Sequence, residues 1–192
     1  MNGAESLVAT LVEGNVDVCF ANPGTSEMHF VAALDKVVGM KTVLGLFEGV
    51  CTGAADGYFR IARKPACTLL HLGPGLANGL ANLHNAKKAN SGVINIVGEH
   101  ATQHIALDAP LTADIEGIAE PVSHFVVTPM QIDRVGDTAA LAIARASGIP
   151  HQIATLILPA NMAWSTGGIT GQPQIFSDFK PLDEKYEIIL EP

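Results

Sequence analysis

Basic residues are scarce in this chain of 192 residues, which has 11 Lys and Arg against 19 Asp and Glu and a net charge of −8. Phosphate backbones and anionic membranes repel such a chain at long range, so nucleic acid and membrane surfaces are excluded as partners. Long apolar stretches are also absent, and none approaches the ~18–20 residues that a membrane helix requires. The N-terminal segment has no basic region followed by an apolar one, so no targeting signal is predicted. We expect a cytoplasmic protein.

Cysteine is equally scarce. The three cysteines, Cys19, Cys51 and Cys67, form no C-x-x-C motif, so the sequence predicts reduced, buried thiols and neither a disulfide framework nor a zinc site. His100 and His104 have i, i+4 spacing but lie in a stretch without regular periodicity, and no metal site is predicted there. What the chain does have is 48% hydrophobic residues and 19 glycines, which indicates a folded domain with a substantial core.

Apolar periodicity predicts helices and short apolar strands in alternation. The predicted helices cover residues 4–14, 27–34, 48–62, 76–88 and 135–146, and the predicted strands cover residues 16–21, 42–47, 66–72, 93–97, 124–127 and 153–158. Thr25 or Ser26 is the expected N-cap of the second helix. Residues 98–121 show no regular pattern.

Strands that are apolar nearly throughout are typical of a parallel sheet buried on both faces. The alternation with helices therefore predicts a three-layer, doubly wound α/β fold, with a mainly parallel sheet and helices on both faces. Residues 1–165 are expected to form this domain. Residues 166–192 change in composition and are expected to be a linker toward a following domain.

Three predicted strand ends carry unusual residues, and ligands of open α/β sheets bind at the carboxyl ends of strands. These ends are Asn22-Pro-Gly-Thr25, Phe47-Glu48-Gly49 and the glycine-rich segment from His71 to Asn78. The third lacks the last glycine of a dinucleotide fingerprint because position 78 is Asn, and the chain has no P-loop motif. A classical dinucleotide site is therefore not predicted.

Glu48 and His71 are the candidate reactive groups at these strand ends. Glu48 opens a predicted helix beside small apolar residues, and a poorly solvated carboxylic acid can share its proton with a ligand nitrogen. The alternative is that Glu48 only complements the positive end of its helix dipole. His71 ends a buried strand directly before Gly-Pro-Gly, where it is either a functional residue or a core histidine satisfied by hydrogen bonds.

Gly49, Gly53 and Gly57 recur at every fourth position of the predicted helix 48–62. A glycine within a helix costs up to ~1 kcal/mol relative to alanine, so three on one face indicate that another element packs very close. That element is either another helix of the same domain or a second subunit.

Two long motifs resemble a known family. The run E-G-V-C-T-G-A-A-D-G-Y-F-R at 48–60 and G-P-G-x-x-N at 73–78 are similar to the N-terminal pyrimidine-binding domain of thiamine diphosphate enzymes such as acetolactate synthase and benzoylformate decarboxylase. The likeness covers residues 1 to about 165. The segment Asn22–Thr25 and the pair Leu70-His71 look most like the decarboxylase, whereas Gly73-Pro-Gly75 looks like the synthase.

The resemblance implies a cofactor, a reaction and a role for each site residue. Thiamine diphosphate would be the cofactor, and the complete enzyme would be a lyase or transferase acting on a small 2-oxo acid. Glu48 would hydrogen-bond a pyrimidine nitrogen and favour the imino tautomer, while His71 would face the substrate as a proton-transfer group. The cofactor-binding residues would be Pro23, Gly24, Thr25, Glu48, Gly75 and Asn78.

The chain also departs from the family pattern. Gly98-Glu99-His100 stands where many relatives carry Gly-Gln, and the Gly-Asp-Gly motif that holds Mg²⁺ and the diphosphate is absent. The only Gly-Asp, Gly136-Asp137, falls inside a predicted helix. We therefore expect a fragment or one subunit of a split enzyme, inactive alone. It would form a homodimer or tetramer through helix 48–62 and work with a separate diphosphate-binding domain or subunit. The alternative is a non-catalytic, dimerising α/β domain that binds a small ligand.

Overall fold

Six parallel strands form one sheet in the computed structural model, which describes residues 1–173. The strands are β1 (Val18–Asn22), β2 (Lys41–Leu44), β3 (Ala66–Leu70), β4 (Val93–Glu99), β5 (Phe125–Val127) and β6 (Ile153–Pro159). Their spatial order is β2-β1-β3-β4-β6-β5, and every pairing between them is parallel. The chain moves outward from β1 to β2 and then returns to the other side of β1, so the topology switches between β1 and β3.

Helices cover both faces of this sheet. They are α1 (Gly3–Glu13), α2 (Met28–Lys36), α3 (Glu48–Ala62), α4 (Leu72–Lys88), α5 (Ile115–Ala119), α6 (Val135–Ser147) and α7 (Ala160–Trp164). One apolar core lies between the sheet and α1, α2 and α6, and a second lies between the sheet and α3, α4 and α5. The predicted three-layer, doubly wound fold is confirmed.

Local sequence explains where the first helix begins and ends. Asn2 accepts a hydrogen bond from the backbone of Glu5, and the Glu5 side chain accepts one from the backbone of Asn2, which closes a capping box. Leu7, Val8 and Leu11 are fully buried on the inner face, as the apolar spacing predicts. The helix ends before Gly14, as expected.

Helix α3 has the predicted boundaries. Arg63 follows in a left-handed conformation with φ of 54°, which terminates the helix two residues before Pro65. Helix α4 begins at Leu72, four residues earlier than predicted, so Gly73-Pro-Gly75 lies in its first turn. Proline is tolerated there because the first N–H groups of a helix have no partner within the helix.

Several local expectations were wrong. Strand β2 is shorter than predicted and all four of its residues are exposed, because β2 is an edge strand. Neither Thr25 nor Ser26 caps α2: Thr25–Glu27 forms a 3-10 turn, and α2 begins at Met28. Helix α5 lies within the stretch 98–121 that was expected to be irregular, and α7 was not predicted.

The three cysteines are free and buried, as predicted. Part of the predicted linker lies against α1: the Ser6 hydroxyl donates to the carbonyl of Ile169, and the backbone N–H of Gly171 donates to the Thr10 hydroxyl. Residues 174–192 of the predicted linker lie outside the described residues, so the domain boundary stays a prediction. Within residues 1–173, no helix is both long and apolar enough to cross a bilayer.

Candidate active site

The loops that follow β1, β2 and β3 carry the candidate site. The carboxyl ends of β1 and β3 adjoin the point where the strand order reverses, which is where open α/β sheets bind ligands. The Asn22 side-chain amide donates to the carbonyl of Gly45 at 2.8 Å and so ties the end of β1 to the loop before α3. The fold therefore brings all three unusual strand ends to one edge of the sheet.

Glu48 is the first residue of α3 and is only 9% exposed. Its Oε2 accepts a hydrogen bond from the side-chain amide of Asn78 at 2.9 Å. Its Oε1 lies over Gly75, where an added Cβ would be 3.0 Å from that oxygen. The structure thus brings three of the predicted site residues, Glu48, Gly75 and Asn78, into contact.

Close packing of α3 on α4 makes this contact feasible. The Asn82 amide donates to the carbonyl of Gly49 at 2.6 Å, and the Thr52 hydroxyl lies 3.2 Å from the carbonyl of Gly79. A Cβ at Gly79 would lie only 2.7 Å from the Thr52 methyl group, and one at Gly53 would lie 3.0 Å from the Asn82 amide. The glycines at these positions hold the two backbones close, which places Asn78 within reach of Glu48.

The predicted glycine face of α3 therefore divides in two. Gly49 and Gly53 pack against α4 of the same domain, which is the internal contact left open by the sequence. A Cβ at Gly57 would meet no atom of the described residues within 4 Å. Among residues 1–173, no other element covers the Gly57 end of the predicted strip.

A second cluster surrounds His71, the residue before α4. Its Nδ1 lies 2.8 Å from Oε2 of Glu27, and the same oxygen accepts a hydrogen bond from the backbone N–H of Gly24 at 2.7 Å. A Cβ at Gly24 would overlap the His71 ring. The structure thus brings Gly24 and His71 together, whereas Pro23 is half-buried and Thr25 is exposed beside them.

Glu27 is the site residue that sequence reasoning missed. It is 3% exposed and lies 44 positions from His71 in the chain, so no local pattern predicts their contact. The sequence does contain a signal for Glu27 as a capping residue, because an acidic side chain three residues after Gly24 is typical of a helix start. The two clusters adjoin through the first turn of α4, where the carbonyl of His71 accepts a hydrogen bond from the N–H of Gly75 at 2.8 Å.

The unusual segment Gly98-Glu99-His100 lies at the end of β4. A Cβ at Gly98 would overlap the carboxylate of Glu27. Glu99 is 7% exposed, and its Oε1 accepts a hydrogen bond from the backbone N–H of His100 at 2.6 Å. Burial raises the pKa of the Glu99 carboxyl.

Comparison with known proteins identifies the family. The family of thiamine pyrophosphate enzyme N-terminal TPP-binding domains matches residues 1–119. The chain belongs to this family. The expected resemblance is confirmed over most of the domain.

Relatives of this family agree with the assignment. A Mycobacterium tuberculosis protein whose name assigns it to the acetolactate synthase large subunits is 62% identical over 167 residues, which are 87% of this chain and 32% of that protein. The benzoylformate decarboxylase of Pseudomonas aeruginosa is 30% identical over 141 residues, which are 73% of this chain and 26% of that enzyme. This chain therefore spans about a third or less of the length of these relatives.

The fold also matches a solved structure. The thiamine diphosphate-dependent 4-hydroxybenzoylformate decarboxylase of Rhodococcus jostii RHA1 superimposes with a TM-score of 0.80, covering 90% of this chain and 32% of that chain at 22% identity. At 22% sequence identity, this structural likeness establishes the fold alone.

Proposed function

We propose that this domain binds the aminopyrimidine half of thiamine diphosphate and that Glu48 hydrogen-bonds a nitrogen of that ring. The observation that carries the proposal is the pairing of Glu48 with Asn78 over Gly75. Asn78 occupies Oε2, while no hydrogen bond from residues 1–173 reaches Oε1. The residues fit the ring because one oxygen of a nearly buried carboxyl group is held and the other is left for a ligand.

The chain's own groups have separable tasks in this proposal. Asn78 orients Glu48, and Gly75 leaves the space beside its carboxyl group free of a side chain. Glu48 holds or donates a proton at Oε1, and low solvent access favours sharing of that proton with a ligand nitrogen. When bound, thiamine diphosphate supplies the electron sink for bond breaking or bond making at a 2-oxo carbon.

We assign the remaining predicted residues to the two sides of the ring. Pro23, Gly24 and Thr25 line the pyrimidine side, and His71 transfers protons to or from a small 2-oxo acid substrate. The contact between Gly24 and His71 supports this arrangement, since it places the first loop next to the histidine. The reaction is a decarboxylation or a carboligation, so the complete enzyme is a lyase or a transferase.

The complete enzyme needs more than this chain. We propose that another domain or subunit holds the diphosphate and its Mg²⁺, because the Gly-Asp-Gly motif is absent from the sequence and Gly136-Asp137 lies in helix α6. This chain alone is expected to be inactive. Its free cysteines agree with a location in the reducing cytoplasm.

We also propose that two copies pair through α3. The contact surface that we propose is an outer stripe of the helix, formed by Val50, Ala54, Gly57 and Ile61 at helical spacing, because Gly49 and Gly53 pack against α4. Val50 is 58% and Ile61 is 89% exposed, and the nearby Leu46 and Phe47 are exposed as well. An apolar stripe of this kind favours association with a second copy.

Glu48→Gln in the complete enzyme tests the pyrimidine assignment. The variant keeps the size and the acceptor for Asn78 but removes the acid, so hydrogen–deuterium exchange at the thiazolium carbon should slow by ~10²–10⁴. The exposed Glu13→Gln variant is the matched control and should exchange at the wild-type rate. Unchanged exchange in folded Glu48→Gln would refute the role, and turnover by the 192-residue chain alone would refute the need for a second part.

A further inference from the structure

Glu27 and His71 form a buried pair whose geometry is unusually constrained. The Glu27 side chain is 1% exposed, and the His71 side chain is 24% exposed. Nδ1 is the enclosed nitrogen, 2.8 Å from Oε2 of Glu27. Nε2 has no hydrogen-bond partner within residues 1–173 and is not among the buried polar atoms without a partner, so it is the nitrogen left for a substrate.

Two glycines keep the pair in this orientation. The backbone of Gly24 approaches the His71 ring so closely that a Cβ would overlap it, and the Gly24 N–H also donates to Glu27 Oε2. Gly98 lies against the far side of the Glu27 carboxylate, where a Cβ would again overlap. A side chain at either glycine would displace the pair.

The arrangement is costly for a purely structural carboxylate. Glu27 Oε1 is buried and has no hydrogen-bond partner among residues 1–173. A buried acceptor without a hydrogen-bond partner lowers the stability of the fold. Packing alone therefore does not explain why a carboxylate occupies this position. Contact with a candidate proton-transfer group supplies a reason.

We propose that Glu27 is a positioning residue that holds His71 as the tautomer protonated at Nδ1 and leaves Nε2 as the nitrogen that exchanges protons with a substrate. This inference rests on the proposed function of His71. An ionised carboxylate can only accept hydrogen bonds, so the imidazole nitrogen that faces it must carry the hydrogen. Fixing the tautomer from behind the ring is the part that a carboxylate plays in hydrolase triads.

Nitrogen chemical shifts of the His71 ring test this in the 192-residue chain without cofactor. At alkaline pH, where histidine is neutral, the wild type should show a protonated Nδ1 and an unprotonated Nε2. Glu27→Ala removes the acceptor, so the ring should revert to the Nε2-protonated form that free histidine prefers. Glu27→Gln should restore the wild-type pattern, because the Gly24 N–H holds the amide oxygen toward His71.

A matched variant separates this role from helix capping. Glu5 accepts a hydrogen bond from the backbone of Asn2, as Glu27 does from that of Gly24, but it does not contact a histidine. Glu5→Ala should therefore leave the His71 tautomer unchanged.

Three outcomes would overturn the proposal: an Nε2-protonated ring in the wild type, an Nε2-protonated ring in Glu27→Gln, or an unaltered tautomer in folded Glu27→Ala. If Glu27→Ala does not fold, the wild type and Glu27→Gln still test the proposal, because the His71 ring must be protonated at Nδ1 in both proteins. The readout needs no cofactor, so a failed Glu48 assignment would leave the tautomer result standing.

Discussion

The carboxyl groups of Glu27, Glu48 and Glu99 lie at the candidate-site end of the sheet but differ in the hydrogen-bond partners of their oxygens. Glu48 has an amide partner on one oxygen, and Glu27 has two nitrogen partners on one oxygen, the backbone N–H of Gly24 and Nδ1 of His71. Glu99 accepts a hydrogen bond from the adjacent backbone N–H and is only 7% exposed. Burial disfavours the charged form of Glu99 more than the hydrogen bond from His100 favours it, and this raises the pKa of the Glu99 carboxyl.

Glu99→Gln is expected to stabilise the folded chain at neutral pH. A carboxyl group whose pKa is higher in the folded state binds more protons there than in the unfolded state, so its ionisation costs stability as the pH rises through the raised pKa. The variant removes that cost and should increase the free energy of unfolding near pH 7. Urea denaturation of both proteins measures it.

The gain should vanish near pH 4, where Glu99 is mostly protonated. Exposed Glu120→Gln is the control and should change stability at neither pH. A gain that is equal at both pH values would show that ionisation of Glu99 is not the cause.

At the scale of elements, the site depends on how closely α3 approaches α4. A Cβ at Gly79 would overlap the Thr52 methyl group, and one at Gly53 would press on the Asn82 amide. That amide donates to the carbonyl of Gly49. Asn78 also lies on α4, so the close packing of α3 on α4 sets the distance between Asn78 and Glu48. A wider helix pair would separate Asn78 from the carboxyl group that it orients.

Gly53→Leu should lower the free energy of unfolding by about 1–3 kcal/mol, the usual cost of overpacking a close contact. Gly57→Leu is the matched variant on the open side of the same helix, where no atom lies within 4 Å of an added Cβ. It should keep or raise stability, because leucine is a better helix former than glycine. Urea denaturation at concentrations that keep the chain monomeric compares the two, and equal losses would contradict the assignment of faces.

At the scale of the whole molecule, the exposed apolar residues concentrate near the start of α3 and the edge strand. Leu44 and Leu46 are 68% and 89% exposed, and Val50 extends this surface along the helix. The site residue Glu48 begins the same helix. An assembly through this face would therefore bring a second copy close to the candidate site.

Sedimentation of the wild-type chain at tens of micromolar should show a dimer, which buries ~1,200 Å² or more if the contact is specific. Val50→Glu should convert it to a monomer, because a charge would be buried in the contact. Leu141→Glu is the matched control, since Leu141 on α6 is 55% exposed, close to the 58% of Val50, but lies on the other face of the sheet. A monomeric wild type would refute pairing through α3.

The sequence by itself determined the fold class, most elements and the start of α3. Apolar spacing reports which face of a helix or strand is buried, and this is a local property that survives in any α/β arrangement. The same local reading placed Glu48 at the start of a helix, and the long motif from 48 to 60 identified the family.

Only the tertiary structure decided which surfaces meet. Val43 and Leu44 of strand β2 are apolar but exposed, because the strand order puts β2 at the edge of the sheet. Likewise, α4 covers Gly53 but not Gly57. The pairing of Glu27 with His71 depends on β1 lying beside β3, a contact between segments that are distant in the chain. Periodicity carries no information on strand order or on which loops converge, because both follow from the crossover connections and the packing of the helices on the sheet.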